Sequence, residues 1–285
     1  MALTESQFEA LSALLAPGER PAQVGPATVR ELERLGFLTD GAVTPAGREA
    51  MEPYRVRRAV LLAAGFGRRL LPITINTPKP LVCVRGRRIV DTLLDACLAA
   101  GIEEIYLVRG HLAQRFNQLR QTYPTLRFLD NPAFDRANNI SSALCAGRML
   151  SNAYVLEADL VLARPELIRS YEYRSNFLAF PVEHSDDWCF TVRDGVITGE
   201  KQGGEHCWQM VGISYWDGRD GERLAVDLQA VFDEPGGPER YWEQVPLVFR
   251  KEHYQVAVRP CREGDVTEID TLEELKAFDP SYDTG

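Results

Sequence analysis

The sequence predicts an α/β protein: a mixed, mostly parallel sheet flanked by helices, preceded by a small, mainly helical module. Three observations carry this. The run AVLLAAG at 59–65 is continuously apolar and stops at glycine, as a strand buried on both faces does. Behind it, strand and helix patterns alternate to about residue 162, the order that winds a parallel sheet. Ahead of it, helical periods dominate, and the chain divides at 1–55 and 56–285.

In the first part a helix is expected from about Thr4 to Leu15, then a Pro/Gly link (GERPAQVGP) and a second helix from about Ala27 to Leu35. GFLTDGAVTPAGREAMEPY reads as a short hairpin followed by a helix. This order resembles a small winged-helix module, a fold that often binds DNA. Yet Met1 to Glu52 holds four arginines, no lysine and eight acids. A DNA reader shows a basic face, so a packing, dimerising or regulatory role suits the module better, and a homodimer is compatible with it.

From Arg58 on, Ile89 to Ala100 is helical, with Ile89, Leu93, Leu94 and Cys97 on one face and Gly101 at its end. EEIYLVRG (103–110) is a second strand, LAQRFNQLRQTY (112–123) a helix and LRFLDNP a third strand. NNISSALCAGRML reads as one helix and AYVLEADLVL (153–162) as one strand. From about Asn176 the pattern turns to β (NFLAFPV, DWCFTVRDGVITGE, QMVGISYWD), with Asp194-Gly195 as a hairpin turn. A last helix follows EID, where Thr271 and Glu274 form a capping-box pattern.

Charge and composition narrow the function. With 32 basic and 41 acidic residues the net charge is −9, which argues against general nucleic-acid binding. There is no membrane-length apolar run and no leader pattern, so a cytoplasmic location is expected. Cys83, Cys97, Cys145, Cys189, Cys207 and Cys261 show no metal or disulfide spacing. Nor do the four histidines, although His111 follows the strand-end Gly110.

The stretch LLAAGFGRRLLPITINTPKPL (61–81) carries the chemistry. Gly65 and Gly67, at the carboxyl end of a buried strand, admit unusual backbone conformations and let a nucleotide approach main-chain N–H groups. Arg68, Arg69 and Lys79 add charge suited to phosphates. A dinucleotide fingerprint fails because position 70 is Leu70, and no Walker loop is present. The full spacing L-A-A-G-x-G-x-R-L-x-P-x-T-x-x-x-P-K resembles the signature of the nucleotidyltransferase superfamily. The resemblance runs through roughly Arg58 to Phe278. It is strongest to bacterial CTP:phosphocholine cytidylyltransferases and their relatives that activate 2-aminoethylphosphonate. ANNISSA, VLEADLVL, DDWCFTV, RYWEQV and EID carry it.

That resemblance implies a Rossmann-like (GT-A-like) nucleotidyltransferase fold, with CTP and a small phosphorylated or phosphonylated amine as substrates. Phosphocholine is the expected acceptor. Phosphoethanolamine, 2-aminoethylphosphonate or a sugar 1-phosphate are alternatives, and a nucleotide-sensing winged-helix regulator is the alternative of another class. Leu62, Ala63, Ala64, Gly65, Gly67, Arg68, Lys79, Gly110, Asn139 and Ser141 are expected around the nucleotide, with Arg68 and Lys79 acting on the phosphates. Asp159, at a strand end, and Asp270 are candidate Mg²⁺ ligands; Glu157 lies on the same side of its strand as Asp159. Trp188 and Tyr241, beside Asp187 and Glu243, suit a cationic head group. The related enzymes commonly carry Asp where this chain has Glu243. Trp242 belongs to the same acid–aromatic stretch, whereas Trp208 and Trp216 read as packing.

Overall fold

The computed structural model describes residues 2–16 and 24–283; much of the expected Pro/Gly link lies outside them. By internal contacts the chain forms two units. One is Met1–Val56 together with Ser170–Tyr173, and the other is the remainder.

In the first unit, α1 (Glu5–Leu15) starts at Thr4. The Thr4 hydroxyl accepts from the Gln7 N–H while the Gln7 side chain accepts from the Thr4 N–H. Then come α2 (Pro26–Arg34), a two-stranded hairpin of β1 (Leu38–Thr39) and β2 (Ala42–Val43), and α3 (Pro45–Met51). Phe8, Leu11, Leu32, Leu38 and Met51 form its core. Ser170–Tyr173 enters this unit through its tyrosines. Tyr173 stacks on Tyr54 at 5.5 Å and donates to the Leu3 carbonyl (3.0 Å); Tyr171 accepts from Arg55 (2.8 Å).

The second unit opens with β3 (Arg58–Ala63), a small hairpin of β4 (Cys83–Val84) and β5 (Arg87–Arg88), and α4 (Ile89–Ala99). It continues with β6 (Glu104–Arg109), a single-turn α5 (Leu119–Thr122), β7 (Arg127–Asp130) and α6 (Ile140–Ala146). Then follow β8 (Ala153–Glu157), β9 (Leu160–Leu162), the long strands β10 (Asn176–Arg193) and β11 (Val196–Trp216), and α7 (Gly218–Phe232). β12 (Ala257–Pro260), β13 (Val266–Glu268) and α8 (Leu272–Phe278) complete it. Seven strands form one mixed, mostly parallel sheet in the order β10-β12-β11-β8-β3-β6-β7. β8, β3, β6 and β7 run parallel, and β11 is antiparallel to β8. The parallel core gathers the carboxyl ends of β3, β6 and β8 at one edge, where such sheets hold ligands. No helix among the described residues is long and apolar enough to cross a membrane.

Four expectations about elements are corrected. Residues 112–123 are not one helix: a tight 3₁₀ stretch, Ala113–Gln118, precedes the single turn of α5. The helix after Asn139 loses its α form at Gly147, whose φ is +49°. The run 153–162 is two strands; β9 leaves the main sheet at Ala158-Asp159 and pairs antiparallel with β13. The fifteen-residue α7 had no counterpart in the strand-based reading of that region. Its N-cap is Asp217, and Leu224, Leu228 and Val231 bury one face. The Asp194-Gly195 turn is as expected, both residues having positive φ.

Candidate active site

The chain leaves β3 at Ala63 and turns through Gly65-Phe66-Gly67. Gly67 is left-handed (φ +62°); a Cβ there would lie 3.1 Å from the Lys79 Cβ and 3.2 Å from the Thr74 methyl. The Thr74 hydroxyl ties the turn down by donating to the Gly67 carbonyl (2.7 Å). Gly65 differs from expectation: its φ is not positive, and a Cβ on it would meet open space. The loop thus needs one glycine for its backbone and leaves the other facing the cleft. Arg68 lies over the Phe66 ring at 4.6 Å.

Lys79 is 7% exposed. Its ammonium donates to Asp159 (2.7 Å) and to Asp270, which also takes the exposed Arg69 guanidinium (2.7 Å). Burial alone would lower the Lys79 pKa; the charges and hydrogen bonds of the two aspartates outweigh it and hold the ammonium above its usual value. Asp159 follows β8 directly, and the β9–β13 pairing brings Asp270 across to it. Thr271, not Asp270, caps α8: its hydroxyl accepts from Glu274 N–H, and Glu274 accepts in return from the Asp270 and Thr271 N–H groups. The Asp270 carboxylate is therefore free for the cleft. Glu268, whose role was not read from the sequence, joins them: Asp159, Glu268 and Asp270 each offer an oxygen within 4.8 Å of the others. Desolvation, then the charges of Asp159 and Asp270, push Glu268 up to about 9, an effect weakened by its solvent-open side.

A cavity of about 420 Å³ opens between this cluster and the loop. Leu62, Ala63, Ala64, Gly65, Gly67, Arg68, Lys79, Asn139, Ser141, Asp159 and Asp270 all line it. Arg69 and Glu157, read from the sequence as near the site, line it as well, and so do Asn131, Phe134, Asn138 and Ser142, which had been given no role there. Gly110 is not part of the lining. A Cβ there would strike Phe134 (2.5 Å) and the Ala64 carbonyl (2.9 Å), so it lets Phe134 pack close behind the loop.

The two asparagines at the start of α6 tie the cavity to residues 238–243. Asn138 N–H donates to the Pro238 carbonyl (2.7 Å). Asn139 Oδ1 accepts from the Trp242 N–H (2.9 Å), and Asn139 Nδ2 lies 3.5 Å from both Glu157 and Glu243. Trp242 is 3% exposed, packs on Phe177 and Trp216, and donates its ring N–H to Glu157 (3.2 Å). It is a core residue, unlike Tyr241 beside it. Burial, then the charges of Asp159 and Glu243, raise Glu157 well above the carboxylate range.

Trp188 and Tyr241, 53 positions apart in the chain, meet edge to face at 5.6 Å. Glu243 is buried two residues after Tyr241, and Asp187 precedes Trp188, accepting its N–H (2.7 Å). These four do not line the 420 Å³ cavity; Asn139 joins Glu243 to it.

The cavity lies at the carboxyl edge of the parallel core, closed by a glycine turn and a lysine held between two aspartates. The chain belongs to the MobA-like NTP transferase domain family, whose pattern matches residues 59–259. It is 33% identical over 228 residues to the 2-aminoethylphosphonate cytidylyltransferase of Lancefieldella rimae, covering 79% of this chain and 92% of that one. It is 25% identical to the choline-phosphate cytidylyltransferase of Streptococcus pneumoniae, covering 78% and 96%. The solved CTP:phosphocholine cytidylyltransferase of S. pneumoniae superposes with a TM-score of 0.74 at 25% identity, over 80% of this chain and 99% of that one. Within its family the chain therefore stands with cytidylyltransferases.

Proposed function

We propose that the chain transfers CMP from CTP to a small amino-alcohol phosphate or aminophosphonate and releases pyrophosphate. The carrying observation is Lys79, buried between Asp159 and Asp270 where the glycine turn meets the cavity. In this reading CTP lies along Leu62 to Gly67, with Asn139 and Ser141 beside it. Phosphocholine and 2-aminoethylphosphonate stand level as acceptors on the relatives' names alone.

The acid cluster suits Mg²⁺. Asp159 Oδ1 is buried with no hydrogen-bond partner among the described residues, and hard oxygen donors are what such an ion takes. Asp159 and Asp270 would hold it, with Glu268 beside them. The chemistry it supplies is neutralisation of phosphate charge. The acceptor's phosphate or phosphonate oxygen is already anionic and needs no general base. It bonds to the α-phosphorus as the α–β P–O bond breaks, and the electron pair leaves with pyrophosphate. Lys79 and Arg68 meet the charge that develops on the phosphates. Asn139 fixes the position of the Tyr241–Glu243 stretch. The N-terminal unit, acidic and with a helix-helix-hairpin-helix order, is read as a winged-helix-like packing or regulatory module.

The test is a panel of phosphocholine, phosphoethanolamine, 2-aminoethylphosphonate and glucose 1-phosphate with CTP, UTP and dTTP, scored by pyrophosphate release. Release with CTP and an amine acceptor is expected. Preference for a sugar 1-phosphate, or no release at all, refutes the reading. Asp159→Ala is expected to lower turnover roughly 10²–10³-fold, by analogy with loss of one transition-state donor; near-normal turnover with Mg²⁺ would remove Asp159 from the metal site.

A further inference from the structure

Two carboxyl groups lie near the Trp188–Tyr241 pair in chain order or sheet register: Glu243 follows Tyr241 by two residues, and Glu200 is two residues from Gln202, the cross-strand partner of Trp188. Glu200 stands on β11 opposite Phe190 of β10. Both of its carboxylate oxygens are sealed from solvent, and no described residue hydrogen-bonds them. Glu243 is 4% exposed, and its side-chain donor is the Asn139 amide at 3.5 Å, which it shares with Glu157. Neither acid is paired with a lysine or arginine among the described residues. Phe190, the cross-strand partner of Glu200, belongs to the same large buried cluster as Trp242 and Val245, which neighbour Glu243 in the chain, and the charge of Glu200 acts on Glu243. Their electrostatics agree: burial, then the charge of Glu200, push Glu243 up to about 8, and burial pushes Glu200 up to about 7.

Desolvated carboxyl groups with no donor, as at Glu200, or only a shared side-chain amide, as at Glu243, are costly, and a ligand that brings both charge and N–H groups relieves that cost. The aromatic pair attracts any organic cation and does not tell one from another. The acids do. A primary ammonium carries three N–H donors, whereas a trimethylammonium presents only methyl groups and leaves the oxygens unsatisfied.

We propose that Glu200 and Glu243 bind the acceptor through a primary ammonium group and select against its N-methylated forms, with Glu200 a specificity-determining residue. This rests on the cytidylyl-transfer reading above and names its acceptor class: an aminoethyl phosphate or phosphonate with a free amine.

Phosphoethanolamine and its N-methyl, N,N-dimethyl and N,N,N-trimethyl forms, the last being phosphocholine, differ only in donor count and methyl bulk. With the full-length enzyme, Mg²⁺ and CTP, kcat/KM is expected to fall along the series, by about 10²-fold or more from first to last, as for a site built to hydrogen-bond a group the analogue lacks. Glu200→Gln and Glu243→Gln, near-isosteric and checked for folding by thermal melting, are expected to shrink that ratio. A flat or rising series in the wild-type enzyme overturns the proposal, and so does a ratio that neither variant changes. Failure of the transferase reading looks different: no pyrophosphate release with any of the four or with 2-aminoethylphosphonate. Calorimetric titration of the same four compounds then decides the preference without turnover. Tighter binding of the primary amine supports it, and equal or tighter binding of phosphocholine overturns it.

Discussion

Gly65 and Gly67 sit on one loop for different reasons. At Gly67 a side chain would meet left-handed strain of roughly 1–2 kcal/mol and press on the Lys79 stem at 3.1 Å. Gly67→Ala is therefore expected to lower the melting temperature and turnover together. Gly65→Ala adds a methyl group facing open space at the cavity wall, so the KM for CTP should rise while the melting temperature holds. Steady-state kinetics and thermal melting on both variants separate the two outcomes. Glu200 and Glu243 make a second prediction at this scale. Their carboxyl groups sit at about 7 and about 8 in the folded chain against 4.5 ordinarily. A raised acid favours folding fully below its unfolded value and loses that contribution as pH rises through the folded value. The melting temperature of the ligand-free protein should thus fall between about pH 5 and pH 8, less steeply in Glu200→Gln; an unchanged slope would place Glu200 in water.

At the scale of elements, the break between β8 and β9 does most for the site. Asp159 stands where the chain leaves the main sheet, and the Leu160–Glu268 register of β9 with β13 carries Asp270 to the same Lys79. The capping box at Thr271 leaves Asp270 free of helix duty. α7 was missed because the β pattern of QMVGISYWD runs up to its N-cap, although the i, i+4, i+7 spacing of Leu224, Leu228 and Val231 was there to read. It lies close against the turn before β8: a Cβ on Gly221 would strike the Leu150 carbonyl and come within 2.5 Å of the Ser151 Cα. Gly221→Ala should destabilise the protein by about 1–3 kcal/mol, as overpacking does. Asp217→Ala, losing only the cap, should cost about 1 kcal/mol. Chemical denaturation gives both, and an equal cost for the two would contradict the close approach.

At the scale of the whole molecule, the first unit is not simply a leading segment of chain. Ser170–Tyr173 belongs to it, with Tyr171 and Tyr173 in its apolar cluster. Removing residues 1–55 strips Tyr173 of its contacts with Phe8 and Tyr54 and Tyr171 of its contact with Arg55. The shortened chain is expected to melt lower and aggregate sooner than the full one. A truncated protein that matches the full-length melting temperature would show that Ser170–Tyr173 has no stake in that unit.

Much of this was written locally. The buried strand at 59–63, the Asp194-Gly195 turn, the capping pattern at Thr271 and the spacing from Gly65 to Lys79 all depend on near neighbours in the chain, so residue order alone declared the fold class and the loop that lines the cavity. Tertiary structure decided which distant residues meet. Lys79 reaches Asp159 and Asp270 across 80 and 191 positions, Trp188 finds Tyr241, Glu268 joins the acid cluster, and Glu200 is buried on β11 with no motif to mark it. Such meetings are set by strand register and by where a strand leaves its sheet. The sequence pattern alone does not record how far an acid that reads as a surface residue on a β-strand is shut away from water.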